Sequence, residues 1–214
     1  MFENALLPKV RELLKQIAPT IHEEHFYLAG GTGLALQIGH RLSDDLVFFT
    51  GSHFNETLLI SNLRAKVQSY QEILIERQTV SLFLDSVRCS FFFYDVPLLF
   101  ETLKIGGIEA ANWRDILAEK FKAVSQRGNK KDFYDIFSVI KAKNLSIEEA
   151  VAYLIKRFKS TGLNRYHVLR SLTYFEDAEE EPDPISIGDH QYSWEVVKAF
   201  FIENIKEFER VLMR

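Results

Sequence analysis

Cysteine is almost missing from this chain. A single residue, Cys89, in 214 excludes an internal disulfide framework and points to a reducing compartment, so a cytoplasmic location is expected. No run approaches the roughly 20 apolar residues that span a bilayer, and no membrane partner is expected. The start, Met1-Phe2-Glu3-Asn4, lacks the basic residues and apolar stretch of a secretory leader. Internal repeats and low-complexity tracts are absent. What the chain does have is core material: 47% of its residues are hydrophobic, 18 of them Phe. Charged residues, at 26%, fit an ordinary soluble protein. The length allows one large domain or two small lobes.

Charge is unevenly spread. Glu176, Asp177, Glu179, Glu180, Glu181 and Asp183 exceed the whole net charge of −4, so the rest of the chain is slightly basic. That remainder fits a polyanion neighbour as well as an ordinary neutral surface, and the acidic run reads as a solvated loop.

Periodicity divides the chain in two. Residues 2–18 have a helical face of Leu6, Val10, Leu13, Leu14 and Ile17. A short strand at 26–29 is broken by Gly30-Gly31, and Thr32 opens a helix through Ile38. A strand at 45–50, a helix at 55–69 and strands at 72–77, 79–84 and 87–94 follow, the last two joined by a tight turn at Asp85-Ser86. A further short strand is expected at 102–105. From residue 112 the signal is helical. Asn112 with Asp115 and Ser146 with Glu149 resemble capping boxes, with helices at about 112–126, 131–142, 146–159 and 164–175. Pro182 and Pro184 interrupt, and Ser193 caps one long terminal helix. An α/β lobe over 1–106 and a helical lobe over 107–214 are expected.

Two constellations carry chemistry. The first reads LAGGTGLALQIGHRLSDDLVFFT. Glycines let a bulky anion approach the backbone. The following helix start offers free N–H groups and partial positive charge, and the Thr32 hydroxyl adds a donor. Asp45 opens the next strand. A strand-to-helix turn without ligand explains Gly-Gly-Thr equally well. The second reads DILAEKFKAVSQRGNKKDFYDIF. Lys120, Ala123 and Arg127 share one helical face, and Asp132 and Asp135 share a face of the next helix. A lysine fixed by an aspartate can direct its ammonium at a phosphate, with Lys130 and Lys131 adding charge nearby. A buried ion pair that locks two helices uses the same residues.

The order of these motifs resembles the AbiEii/AbiGii toxin family of the nucleotidyltransferase superfamily. Gly30, Gly31, Thr32, Gly39, His40, Arg41, Ser43, Asp45, Phe48 and Phe49 match its first motif. Asp115-Ile116, Lys120, Ala123, Arg127, Lys131-Asp132 and Asp135 match its downstream motifs. The match covers about residues 26–140. It implies an α+β nucleotidyltransferase fold, a mixed-sheet lobe followed by an α-helical C-terminal lobe. The activity implied is transfer of a nucleoside monophosphate from a Mg²⁺-bound (or Mn²⁺-bound) nucleoside triphosphate to an acceptor such as RNA, including tRNA, with a separately encoded antitoxin as restraint. By the same resemblance Asp45 is the metal ligand. Asp45, Lys120 and Asp132 are the catalytic candidates, and Gly30, Gly31, Thr32, Arg41, Ser43, Arg127 and Asp135 the substrate-binding ones.

The chain departs from the pattern at Val47, where the family carries its second aspartate. Residues 45 and 47 share a face of a strand, which Asp44 does not, and two metal ions about 3.5–4 Å apart usually need both carboxylates. A loss of about 4 kcal/mol of transition-state stabilisation lowers a rate about a thousandfold. Nor does the strand at 87–94 contain an acid; Ser90 lies there, flanked by Asp85 and Asp95 as turn residues. Metal binding is therefore expected to be weakened, and a catalytically degenerate fold that binds nucleotide, RNA or protein is the alternative reading. His22 and His25 lack partners for a zinc site, and Cys89 reads as a buried thiol.

Overall fold

The computed structural model describes residues 2–188 and 191–214. The chain begins with a 3₁₀ turn, Glu3–Ala5, and then helix α1, Pro8–Glu23, rather than one helix from residue 2. Pro8 is the cause: it suits a first helical position but forces Leu7 out of the helical region, and Leu7 is extended at φ −60°, ψ 146°. Next come β1 (Tyr27–Leu28), α2 (Gly30–Ile38), β2 (Leu46–Thr50) and α3 (Glu56–Arg64). They are followed by β3 (Tyr70–Glu76), β4 (Thr79–Leu84), β5 (Val87–Phe93), β6 (Leu103–Ile105) and β7 (Ile108–Ala110).

Among the described residues the strands form one mixed sheet in the order β3-β4-β5-β2-β1-β7-β6. The pairs β2–β5 and β1–β7 are parallel and the others antiparallel. Asp85 and Ser86, both at positive φ, make the tight turn expected between β4 and β5. Strand β7 has no counterpart among the strands expected from the sequence. Three residues are too few to display alternation, and the signal was the pair Gly106-Gly107, whose positive φ values turn β6 back into β7.

One sheet face is apolar. Leu46 and Phe48, Val80, Leu82 and Leu84, and Val87, Cys89 and Phe91 pack with Leu13 and Ile17 of α1 and Leu59 and Leu63 of α3. A second core lies around the C-terminal helices α4 (Trp113–Arg127), α5 (Lys130–Ala142), α6 (Ile147–Arg157) and α7 (Arg165–Ser171). The remaining helices are α8 (Glu176–Glu179), α9 (Trp194–Glu203) and α10 (Ile205–Leu212). Helix α2 joins the two cores, giving Leu36 to the first and Leu34 and Ile38 to the second.

Two expectations for the C-terminal half are corrected. The single terminal helix is two helices parted at Asn204, whose side chain donates to Phe200 O (2.7 Å) and competes with the helical backbone. The acidic run is no free loop. It contains α8, and its end is tied down. Glu181 accepts from Lys130 N (2.8 Å), Asp183 pairs with Lys130 Nζ (3.0 Å), and Leu42 N donates to Ile185 O (2.8 Å). Ser186 bridges to Arg41, so the segment is a strap across the chain between α2 and β2.

Candidate nucleotide site

The glycine turn lies where β1 hands over to α2. The helix runs from Gly30, two residues before the expected Thr32, and Gly30 itself makes the sharp turn out of β1 at φ +62°, a conformation open to glycine at little cost. A Cβ on Gly30 would sit 3.3 Å from Val47 Cβ, and one on Gly31 would land on Arg41 Nη2. Both glycines therefore have a packing reason within the protein. Thr32 is buried. Its hydroxyl lies 2.7 Å from Ser43 Oγ and donates to the Asp45 carbonyl. It thus fixes the approach to β2.

A buried ion cluster fastens this turn to the helical half. Arg41 grips Asp135 with two bonds, Nε to Oδ1 at 2.7 Å and Nη2 to Oδ2 at 3.0 Å. His40 Nε2 is 2.6 Å from Asp135 Oδ1. Lys120 Nζ lies 2.5 Å from Asp135 and 2.6 Å from Asp132. Arg127 holds Asp132 at 2.9 and 3.1 Å. The local cause is α5. Asp132 and Asp135 stand three residues apart on the face turned to α2 and α4, and both are fully buried. Burial alone would raise the Asp135 carboxyl, but the Arg41 and Lys120 charges and the His40 bond outweigh it and hold it well below the usual carboxylate range. Asp132 is likewise lowered, burial being overcome by Lys120 and Arg127. Burial pushes His40 down against the pull of Asp135, so the ring is neutral. With Nε2–H given to Asp135, Nδ1 is a buried acceptor with no hydrogen-bond partner among the described residues.

Lys120 is thus clamped between two carboxylates and 5% exposed, not extended toward open solvent. Asp132, held by two cations, is a poor base and a good anchor. The guanidinium of Arg127 has its other side in solvent, at 58% exposure. Lys131 is half-buried, and its ammonium lies 3.7 Å from Asp44.

Beside the turn the sheet contributes a row of side chains that starts at Val47, next to Gly30. Register puts Val47 beside Ser90 and Ser90 beside Ser81, so these three side chains form a row on the face away from α1. The two hydroxyls are 3.0 Å apart. Arg88 lies two residues before Ser90 on the same face and is exposed. Asp45, one residue ahead of β2, is exposed as well. The donor set does not fit a two-ion metal site, since one exposed carboxylate is flanked by a valine and two neutral hydroxyls. Among the described residues no group of three or more His, Cys, Asp or Glu is arranged to hold a metal.

The residues singled out from sequence come together as a connected set. Gly31, Arg41, Asp135, Lys120, Asp132 and Arg127 form one chain of contacts, and Gly30, Thr32, Ser43 and Asp45 join it through the turn. Lys130 departs from the set, being buried under the strap. Ser81 and Arg88 went unremarked in the sequence. Alternation on β5 held the signal, because Val87, Cys89 and Phe91 claim one face and leave Arg88 and Ser90 on the other. His22 and His25 line a hollow of about 240 Å³ with Glu109, on another part of the surface.

Comparison with known proteins agrees with this construction. The chain is 34% identical over 201 residues to the protein aq_aa25 of Aquifex aeolicus (strain VF5), covering 92% of this chain and 95% of that one. The crystal structure of JHP933 from Helicobacter pylori superposes with a TM-score of 0.58 at 16% identity, over 99% of this chain and 94% of that chain. MenT4, a nucleotidyltransferase toxin from Mycobacterium tuberculosis H37Rv, superposes with a TM-score of 0.55 at 11% identity, over 95% and 86%. At such identities these structures speak for the fold, which is that of the nucleotidyltransferases. The sequence itself matches the family model described as "Nucleotidyl transferase AbiEii toxin, Type IV TA system" over residues 12–88 and 84–213, nearly its whole length, and the chain belongs to that family.

Proposed function

We propose that this protein binds the triphosphate of a nucleoside triphosphate between the Gly30–Thr32 end of α2, the Ser81–Ser90 face and Arg127, and that nucleotidyl transfer from it is slow or lost. The observation that carries this reading is the row Val47, Ser90, Ser81, in which no side chain can ligate a divalent ion as a carboxylate does. Mg²⁺ or Mn²⁺ would have Asp45 alone among the sheet residues. A deficit of about 4 kcal/mol at the transition state corresponds to a thousandfold lower rate.

A second reading keeps turnover, with RNA such as tRNA as acceptor and a separately encoded antitoxin as restraint. It is favoured by the intact cluster of Lys120, Asp132 and Arg127, which would preserve the positively charged wall. One assay separates the two. The protein is incubated with labelled nucleoside triphosphates, Mg²⁺ or Mn²⁺ and total RNA. Transfer that vanishes in Asp45→Ala supports turnover. Nucleotide retention without transfer, with transfer appearing in Val47→Asp, supports the binding reading. Val47 is half-buried with its Cβ already accommodated beside Gly30, so the similarly sized aspartate fits. Failure to retain any triphosphate in either form overturns both.

A further inference from the structure

We infer that the site takes a triphosphate as the bare anion, with no divalent cation between it and the protein. This rests on the nucleotide-binding reading above and concerns the ionic form of the ligand.

A site built for a metal-bound triphosphate presents carboxylates, whose charge the cation neutralises before the phosphates arrive. Carboxylates facing a bare triphosphate would repel it. The wall made by β4, β5 and β2 has the opposite character. Its central row is one apolar side chain and two hydroxyls, Val47, Ser90 and Ser81. Hydroxyls donate to phosphate oxygens but are weak ligands for a hard cation in place of carboxylates. Two residues along β5 the same face carries the exposed guanidinium of Arg88.

The helical half adds Arg127 and Lys131. Arg127 uses Nε and Nη2 on Asp132 and keeps the rest of its fork in solvent. Lys131, half-buried, has its ammonium 3.7 Å from Asp44. A guanidinium binds phosphate through paired, charge-assisted bonds. Of the acids nearby, Asp132 and Asp135 are neutralised within the buried cluster, Asp44 faces Lys131, and Asp177 beside Gly128 and Glu181 near Arg127 stand on the side of α8 and the strap. Next to the row on the sheet stands Asp45, exposed and held by no ion pair among the described residues. On a metal-free surface that carboxylate opposes the ligand. On a metal-dependent surface it is indispensable.

Asp45 therefore gives the test its sign. The intact protein is titrated with each of the four labelled nucleoside triphosphates, and with inorganic tripolyphosphate as competitor, in excess EDTA and in excess Mg²⁺. Affinity in EDTA should equal or exceed that in Mg²⁺, within about threefold. Asp45→Asn should tighten binding in EDTA by about threefold or more, and Arg88→Glu should weaken it about tenfold. The double change Val47→Asp, Ser90→Asp should reverse the metal response, so that binding needs Mg²⁺. Binding that requires Mg²⁺ in the unaltered protein, or that weakens in Asp45→Asn, overturns the inference and leaves nucleotide binding standing. An unchanged affinity in Arg88→Glu also overturns it. No retention of any triphosphate in either condition removes the nucleotide-binding reading itself.

Discussion

Arg41 does at one residue what sequence reading assigned to a ligand. Its guanidinium fills the space where a Cβ of Gly31 would stand, while Nε and Nη2 are committed to Asp135 and Nη1 to Leu42 O (3.1 Å). Gly31→Ala should cost about 3 kcal/mol, combining overpacking with a displaced ion pair. Gly51, with open space around it, is the control, and Gly51→Ala should change urea stability by less than about 0.5 kcal/mol. His40 makes a second residue-scale prediction. Its folded pKa is lowered by burial, so the unfolded chain takes up a proton that the folded one refuses. Stability should fall as pH drops below about 6.5, the unfolded value. Asp135 and Asp132, whose folded values are depressed, add a further loss below about pH 4, where the unfolded carboxylates take up protons. Denaturation midpoints between pH 8 and 3 should show both limbs, and in His40→Asn the upper limb should shrink.

Among the elements, α6 is fastened to α4 by a charge rather than by shape alone. Arg157, at the end of α6, is bonded to Asp115 and to Glu119 (2.9 Å), and Asp115 also accepts from Leu99 N and Phe100 N. Arg157→Met keeps the bulk but strands a buried carboxylate, and about 3–5 kcal/mol should be lost in chemical denaturation. The elements were mostly legible where a period could run long enough. Helices α4 to α6 and strands β4 and β5 declared themselves through caps, alternation and the Asp85-Ser86 turn. Strand β7 was too short, and Asn204 parts α9 from α10 by a side-chain bond that no period announces. The site was legible as a set of residues, through the motif order from Gly30 to Asp135. Its wiring was not. Nothing in the spacing tells that Lys120 faces two aspartates or that Arg41 covers Gly31, since the first depends on how α5 packs against α4 and the second on where α5 places Asp135 beside the end of α2.

For the molecule as a whole, the strap from Glu181 to Ile187 closes the fold from outside. It touches α5 through Lys130 and the segment ahead of β2 through Leu42 and His40. Lys130 is buried, and its ammonium also lies 5.3 Å from the Trp194 ring. Lys130→Met should loosen the strap, so limited proteolysis should cut within residues 176–188 several-fold faster while nucleotide retention persists. Retention lost in step with cleavage would make the strap part of the binding wall.

The pairing of Arg41 with Asp135 also orders events at the ribosome. The two residues are 94 positions apart, and β1 finds its parallel neighbour only when Ala110 arrives. A nascent chain ending before Asp132 has made the glycine turn, Arg41 and Lys120, yet lacks both carboxylates that hold the two cations. Contacts of such separation form late, and an uncompensated charge cannot be buried cheaply. Translation that stalls upstream of α5 should therefore release fragments that proteases clear, so that the growing polypeptide completes its buried ion cluster only after more than half of its length has been synthesised.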